Sequence, residues 1–175
     1  MARRLTVRLV SETEVTYERG LTMELTNKQA LTAYNEIVEA FVSSEPLPVS
    51  PVNLLIHAIQ DLQVRDYVLG HAPITFGATR AIEFITAILP LVEEGQRSPF
   101  YTILSAFYYE ADDKELAFAS LMQAQLLDPE YSLAKLLNRV FQSGMFDPAS
   151  FATMRNELHP KVVKEFQEEK ELQIA

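Results

Sequence analysis

The chain has 175 residues, the size of one domain, and a formal net charge of −9, which argues against direct binding to nucleic-acid phosphates. It contains no cysteine, which excludes disulfides, thiol nucleophiles and thiolate metal sites and favours a cytoplasmic location. No apolar run reaches the roughly 20 residues of a membrane span, and the basic opening lacks the apolar core of a signal peptide, so we expect no membrane contact.

Residues 3–19 alternate apolar and polar side chains and are rich in Thr and Val, a pattern typical of β-strands. We predict a small N-terminal β-hairpin with its turn near Ser11 and Glu12. A lone hairpin is marginal in water, so it must pack on helices or pair with a second chain. The second option would make this β element the contact of a homodimer or an edge for a different partner chain.

A capping-box spacing at Thr26–Gln29 predicts a helix that presents an apolar face. A proline-rich stretch follows and reads as a linker. We expect one domain over residues 1–175, composed of a strand-plus-helix unit (1–43), the linker (44–50), a helical region (51–150) and C-terminal helices (151–175). The apolar face of the first helix consists of Leu31, Tyr34, Ile37, Val38 and Phe41.

The next predicted helix is capped by Ser50-Pro51 and continues through Arg65 and Asp66 as far as Leu69, with Gly70 ending it. Neighbouring residues project in different directions from a helix, so we expect Arg65 and Asp66 each to pair elsewhere. A further helix is predicted over residues 78–89, where Pro90 ends or kinks it.

Residues 101–134 predict a helical hairpin. Ser98-Pro99 is expected to cap the first helix, and Asp112-Asp113 to turn the chain and cap the second. A third helix is expected from Asp128-Pro129 to residue 143, with Gly144 as its stop. The hairpin resembles one tetratricopeptide repeat, but no second repeat follows in frame, so we expect a hairpin within a globular domain. Its matching positions are Tyr101, Leu104, Tyr108, Ala117, Ala124 and Pro129.

Three stretches resemble a known family: LQVRDYVL at 62–69, FYYEADDKELAFASLMQAQLLDP at 107–129 and DPEYSLAKLL at 128–137, followed by Gly144 and Pro148. Together they are similar to the C-terminal half of an actinobacterial family of unknown function, number 4192. The resemblance covers about residues 52–148 and implies a truncated or minimal member without the family's N-terminal half. It also implies an actinobacterial or phage source, and it brings no reaction, substrate or cofactor.

The family has a Gly-Asp-Gly turn where this chain reads Ala111-Asp112-Asp113; both glycines are replaced and the Asp is kept, so a turn that needs a positive φ is not expected here. Beyond Gly144, Asp147-Pro148 predicts a short helix, and His159-Pro160 predicts the start of a separate terminal helix.

The sequence offers no evident catalytic chemistry. Its three histidines share no helical spacing of three or four, and its five glycines form no phosphate-binding motif. The adjacent acids Asp112 and Asp113 are read as a cap and a solvated face. We therefore expect no catalytic residue, no metal and no cofactor.

These observations predict a mainly α fold, a compact domain of about six to eight helices with the small N-terminal β-hairpin. The favoured function is a non-enzymatic protein-interaction or adaptor module, supported by the acidic stretch 110–130. One alternative is a ligand-binding or enzymatic domain with a pocket near Arg65, Asp66, Tyr108 and Asp112; another is an acidic nucleic-acid mimic that inhibits a DNA-binding protein. The candidate partner-binding residues are Arg65, Asp66, Tyr108, Tyr109, Asp112 and Asp113.

Overall fold

A computed structural model describes residues 28–172, with side chains described through residue 165. Within this range the regular structure is helical and no strand occurs, which confirms the mainly α prediction. The predicted β-hairpin at 3–19, the dimer contact assigned to it and the Thr26 cap lie outside the described residues. The α-helices are α1 (28–42), α2 (Val49–Ala58), α3 (Leu62–Phe76), α4 (Ala78–Ile88), α5 (Ser98–Glu110), α6 (Lys114–Leu127), α7 (Ser132–Ser143) and α8 (Pro148–Leu172).

One cluster of buried apolar residues draws on all eight of these helices. Helix α5 lies at its centre, because its side chains are apolar or small on nearly every face and ten of its thirteen residues are buried. Two hydroxyls on α5 are satisfied within the helix: Thr102 donates to the carbonyl of Ser98, and Ser105 donates to the carbonyl of Thr102. Representative core residues, one per helix, are Tyr34, Leu55, Val68, Phe84, Phe107, Leu121, Phe141 and Phe151.

The predicted hairpin is present as α5 and α6. Asp113 caps α6, its Oδ1 accepting from the backbone N–H of Leu116 at 3.0 Å. The expectation that this turn lacks a positive φ is wrong: Asp112 takes φ +63°, whereas Ala111 and Asp113, at the glycine positions of the family pattern, keep negative φ. The predicted cap at Ser98 is wrong: Ser98 is the first residue of α5, and its buried hydroxyl donates to the carbonyl of Ala124 at 3.0 Å. That bond links the first residue of α5 to the last turn of α6, at the end of the hairpin opposite the turn.

The predicted long helix from Ser50 to Leu69 is two helices. Helix α2 ends at Ala58, and a new helix, α3, begins at Leu62. Asp61 caps α3 by accepting from the N–H of Gln63 at 2.8 Å. Helix α2 begins at Val49 without a side-chain cap, so Ser50 does not cap it. Gly70 lies inside α3 instead of ending it. The expected helix at 78–89 is confirmed as α4, and Pro90 lies in the short 3₁₀ turn Leu89–Leu91 that follows.

Helix α7 begins at Ser132, four residues later than predicted. The carboxylate of Asp128 accepts from the N–H of Glu130, so Asp128 and Pro129 form a turn before the helix. Gly144, with φ +64°, ends α7 as expected.

The two predicted C-terminal helices are one continuous helix, α8. Asp147 opens it as predicted, accepting from the N–H of Ser150 at 2.7 Å. Pro160 is tolerated inside α8 because the carbonyl that loses its helical partner belongs to exposed Asn156, where water can replace the missing N–H.

None of the helices in residues 28–172 combines the length and the apolar character needed to cross a bilayer.

Candidate functional site

Helix α6 has one buried face and one exposed face. Residues such as Ala117, Leu121 and Ala124 are buried against the core. The opposite face carries Met122 and Leu126, which are 63% and 73% exposed. At 100° per residue, Glu115, Ala119, Met122 and Leu126 fall on one line along the helix, directly opposite the buried residues. We call Ala119, Met122 and Leu126 the α6 stripe.

The sequence of α6 adds a second feature. Its twelve residues 116–127 contain no charged side chain, although the outer face is exposed. Solvent-facing helix surfaces normally carry charged or polar residues, so an uncharged and partly apolar outer face is unusual.

Acidic residues lie at both ends of the α6 stripe. Asp112, Asp113 and Glu115 lie at its start, and Asp128 and Glu130 follow its end. Lys135 pairs with Glu130, with Nζ and Oε2 2.7 Å apart, whereas Glu115 forms no ion pair within residues 28–165. The stripe is therefore an apolar centre between two acidic ends.

Of the adjacent tyrosines singled out from the sequence, Tyr109 is a core residue. Its ring stacks on Phe141 with centroids 4.0 Å apart, and its hydroxyl donates to the carbonyl of Phe146. Tyr108 is half-buried, and Asp112 is exposed in the turn. Among the predicted partner-binding residues in this region, Tyr108, Asp112 and the half-buried Asp113 therefore keep surface that a partner could contact.

Arg65 and Asp66 pair with each other, so the expectation that each pairs elsewhere is wrong for Asp66 and holds only in part for Arg65, which also bonds Tyr131. The Nε and Nη2 atoms of Arg65 lie 2.8 and 2.7 Å from Oδ1 of Asp66. The arginine side chain is 9% exposed and the aspartate side chain 39% exposed, so the pair is partly buried. Arg65 also hydrogen-bonds Tyr131, and burial raises the pKa of that tyrosine while the arginine charge opposes the rise.

The four residues of the alternative pocket lie in two places. Arg65 and Asp66 are next to Tyr131, just before α7, whereas Tyr108 and Asp112 are at the α5–α6 turn. The length of α6, about 21 Å, separates these ends of the hairpin. A single pocket that uses all four side chains is therefore not formed.

A ring cluster that the sequence analysis missed joins α1, α3 and α8. The Tyr34 hydroxyl lies 3.0 Å from Nδ1 of His71, and Tyr67 stacks on His71 with centroids 5.1 Å apart. His159 completes the cluster, its ring centroid 5.6 Å from that of Tyr67. The i,i+4 spacing of Tyr67 and His71 was the only local signal, because Tyr34 and His159 are distant in sequence.

The electrostatics of this cluster favour neutral rings. Burial lowers the pKa of His71, and the nearby His159 lowers it further. The pKa of His159 is lowered by burial and then by the charge of Arg155. Burial also raises the pKa of the Tyr34 phenol. The cluster therefore carries little charge at neutral pH.

A small crevice adjoins the cluster, with a volume of about 10 Å³. That volume is close to the space one water molecule needs, and far below that of a metabolite pocket. No group of three or more histidine or carboxylate side chains within the described range is placed to hold a metal ion. The ring cluster therefore acts in packing, as a contact among α1, α3 and α8. The crevice is lined by Ala30, Leu31, Tyr34, Val64, Tyr67 and Val68.

Comparison with curated proteins and with solved structures yields no match. The tetratricopeptide likeness of α5 and α6 therefore stays a prediction. A family model matches residues 2–148, under the description "Domain of unknown function (DUF4192)". The match begins fifty residues before the region expected from the sequence. The chain belongs to this family of unknown function, DUF4192.

Proposed function

We propose that the protein is a helical interaction module and that the outer face of α6 is its binding surface. The observation that carries the proposal is the uncharged run 116–127 on an exposed helix, with Met122 and Leu126 largely open to solvent. An exposed apolar surface bordered by polar residues is typical of a protein-binding site.

The packing of α6 against the rest of the fold favours its use as a binding surface. Its inner face packs on α5, the most buried helix of the fold, and Ser98 and Asp113 fix the two ends of the hairpin. A surface held in this way binds without first having to become ordered, which lowers the entropic cost of association. The tetratricopeptide-like spacing of the hairpin is consistent with such a role. The proposal includes a cytoplasmic location, which rests on the absence of cysteine.

The test is affinity capture from host lysate with a matched pair of variants. Met122→Glu/Leu126→Glu places two charges on the α6 stripe. Val42→Glu/Val49→Glu places two charges at positions of similar exposure, 56% and 70%, on α1 and α2, whereas α6 packs on α5 and α7. Both variants are first shown to melt like the wild-type chain.

We expect proteins retained by the wild type to be lost from the stripe variant and kept by the control variant. Two charges on the α6 stripe should remove most of the binding, since apolar residues at the centre of an interface contribute most of its binding free energy. Equal retention by both variants would show that α6 is not the binding surface.

A further inference from the structure

We propose that residues 156–172, the C-terminal part of α8, form a pH-sensitive strap that lies on α3 while His159 is neutral and leaves α3 when His159 is protonated. Residues 148–155 of α8 and the helices α1 to α7 stay folded in both states. The inference goes beyond the binding surface on α6 and concerns a different face of the molecule. It follows from the uneven way in which α8 is held.

The start of α8 is firmly anchored in the core. Phe151 is 5% exposed, and its ring meets those of Tyr109 and Phe141 edge-on, with centroids 5.6 and 5.8 Å away. One turn later, Arg155 forms an ion pair with Glu110 of α5, and both side chains are largely buried. These contacts fix the first part of α8 in place.

The strap is held more weakly than the start of α8. None of residues 156–165 is buried, and only three of their side chains are half-buried, namely His159, Val162 and Val163. A segment with so few buried apolar groups opens locally at a low free energy. The helix is also weakened at the start of the strap, because Pro160 supplies no N–H to the carbonyl of Asn156. We assign the hinge of the strap to this missing bond.

The contact of His159 with α3 suits only a neutral ring. Its Nδ1 atom is buried and has no hydrogen-bond partner in the described part of the chain. This atom lies directly over Gly70, where a Cβ would clash with it. A neutral imidazole can carry its proton on Nε2 and leave Nδ1 bare, whereas a protonated ring has an N–H at both nitrogens. Protonation therefore creates a buried donor without an acceptor, which disfavours the closed strap.

The charges near His159 act in the same direction. Burial and then the charge of Arg155 lower the pKa of His159, and a second imidazole, His71, lies 6.1 Å away between ring centroids. The carboxylate of Glu110 gives no compensation, because it is paired with Arg155. The titratable and charged groups that surround the two imidazoles come from four helices: Tyr34 on α1, Tyr67 on α3, Glu110 on α5 and Arg155 on α8.

Release of the strap relieves these effects together. In the released strap the His159 ring lies in water, where its pKa has the ordinary value of 6.5. Above that pH the ring is neutral in both states, so the equilibrium between closed and released strap does not change. Below it the released state binds more protons, and acid shifts the equilibrium toward release. Release uncovers Tyr67 and Gly70 on α3.

The experiment is hydrogen exchange of the full chain, followed by mass spectrometry at pH 7.5, 6.5 and 5.5. Rates are corrected for the intrinsic pH dependence of amide exchange. Peptides from the strap, from residues 148–155 and from α5 report on the three regions separately. His159→Gln removes the titrating ring, His57→Gln is its matched control on α2, and Pro160→Ala restores the missing N–H while it keeps His159.

We expect the protection of the strap amides to fall roughly five-fold between pH 7.5 and 5.5, within the limit of about ten-fold that one group with a pKa of 6.5 sets. The amides of α5 and of residues 148–155 should keep their protection, and His57→Gln should behave like the wild type. In His159→Gln the strap should exchange at one corrected rate at all three pH values. Pro160→Ala should slow this exchange and retain the acid response.

Four results would overturn the inference. Equal protection of the strap at pH 7.5 and 5.5 would show that protonation of His159 does not release it. A parallel loss of protection in α5 would show that acid opens the whole fold. An acid response that persists in His159→Gln would make another group the sensor, and unchanged exchange in Pro160→Ala would place the hinge elsewhere. None of these variants alters α6, so capture through the α6 stripe tests the proposed function independently.

Discussion

The rings of His71 and His159 lie 6.1 Å apart, centroid to centroid, on the facing helices α3 and α8. The charged and titratable groups around them are Tyr34 on α1, Tyr67 on α3 and Arg155 on α8, and Arg155 is itself paired with Glu110 of α5. The contact between the two helices is therefore formed with both imidazoles neutral.

Stability should fall as the pH falls below the ordinary histidine value of 6.5. The pKa of both histidines is lowered in the folded chain, so the unfolded chain binds more protons below 6.5 and acid favours unfolding. Above 6.5 the histidines are neutral in both states and contribute no pH dependence. Urea unfolding at several pH values between 7.5 and 5.5 measures this directly.

The matched variants for this prediction are His159→Gln and His57→Gln. His57 is exposed and lies outside the ring cluster, so His57→Gln serves as the control, whereas His159→Gln should flatten the pH dependence. The raised pKa of Glu110 acts in the opposite direction at lower pH, because protonation of that buried carboxyl favours the folded state. A wild-type chain equally stable at pH 7.5 and 5.5 would contradict the prediction.

Gly70→Ala should destabilise the protein, although alanine is normally the better helix former by about 1 kcal/mol. A Cβ at Gly70 would lie 2.8 Å from Cγ of His159 and closer still to Nδ1. The ring would have to leave its place beside Tyr67 and His71. We expect a net loss of about 1–2 kcal/mol in the free energy of unfolding, measured by urea denaturation.

A double-mutant cycle isolates this contact. In the His159→Ala background the ring is absent and only the Cβ of residue 159, 3.2 Å from the new Cβ, stays close, so Gly70→Ala should cost much less than in the wild type. Gly95→Ala is the control, because nothing lies within 4 Å of a Cβ there and its φ is not positive. The explanation fails if Gly70→Ala destabilises both backgrounds equally.

Arg155→Met should destabilise the fold more than the double variant Glu110→Gln/Arg155→Met. The two side chains are only 10% and 11% exposed and form an ion pair between α5 and α8. Removing the arginine leaves a buried carboxylate without its cation, which costs about 3 kcal/mol in comparable sites. Glutamine at position 110 removes that buried charge, so the double variant should recover stability in the same urea assay. Equal stability of the two variants would show that the carboxylate finds another partner or water.

The sequence was informative where a signal is local. Asp113 and Asp147 were predicted as caps and are caps, since capping depends on residues three positions apart. The helical hairpin followed from the apolar spacing around Tyr101 and Leu121. Ser98 has the right type for a cap, yet it bonds Ala124 across the hairpin, a partner that no local pattern indicates.

In the candidate site, too, local features were predicted from the sequence and features that depend on packing were not. The acidic character of residues 110–130 was visible in the sequence, but the exposure of Met122 and Leu126 depends on which face of α6 meets the core. Leu126 is as apolar as buried Leu121, and only the packing of α5 distinguishes them. The ring cluster of Tyr34, His71 and His159 could not be predicted, because three separate helices bring its members together.

Substitutions of the turn residue Asp112 separate the effect of its backbone conformation on stability from the effect of its charge on binding. Its φ of +63° is a conformation that glycine adopts freely, asparagine and aspartate tolerate, and alanine resists by about 1 kcal/mol. We therefore expect Asp112→Gly to raise the free energy of unfolding slightly, Asp112→Asn to leave it unchanged and Asp112→Ala to lower it by about 1 kcal/mol. Retention of the proteins captured from host lysate should weaken to the same extent in all three variants, because each removes the same exposed carboxylate. If only Asp112→Ala weakens binding, the effect of position 112 is conformational and its charge takes no part in recognition.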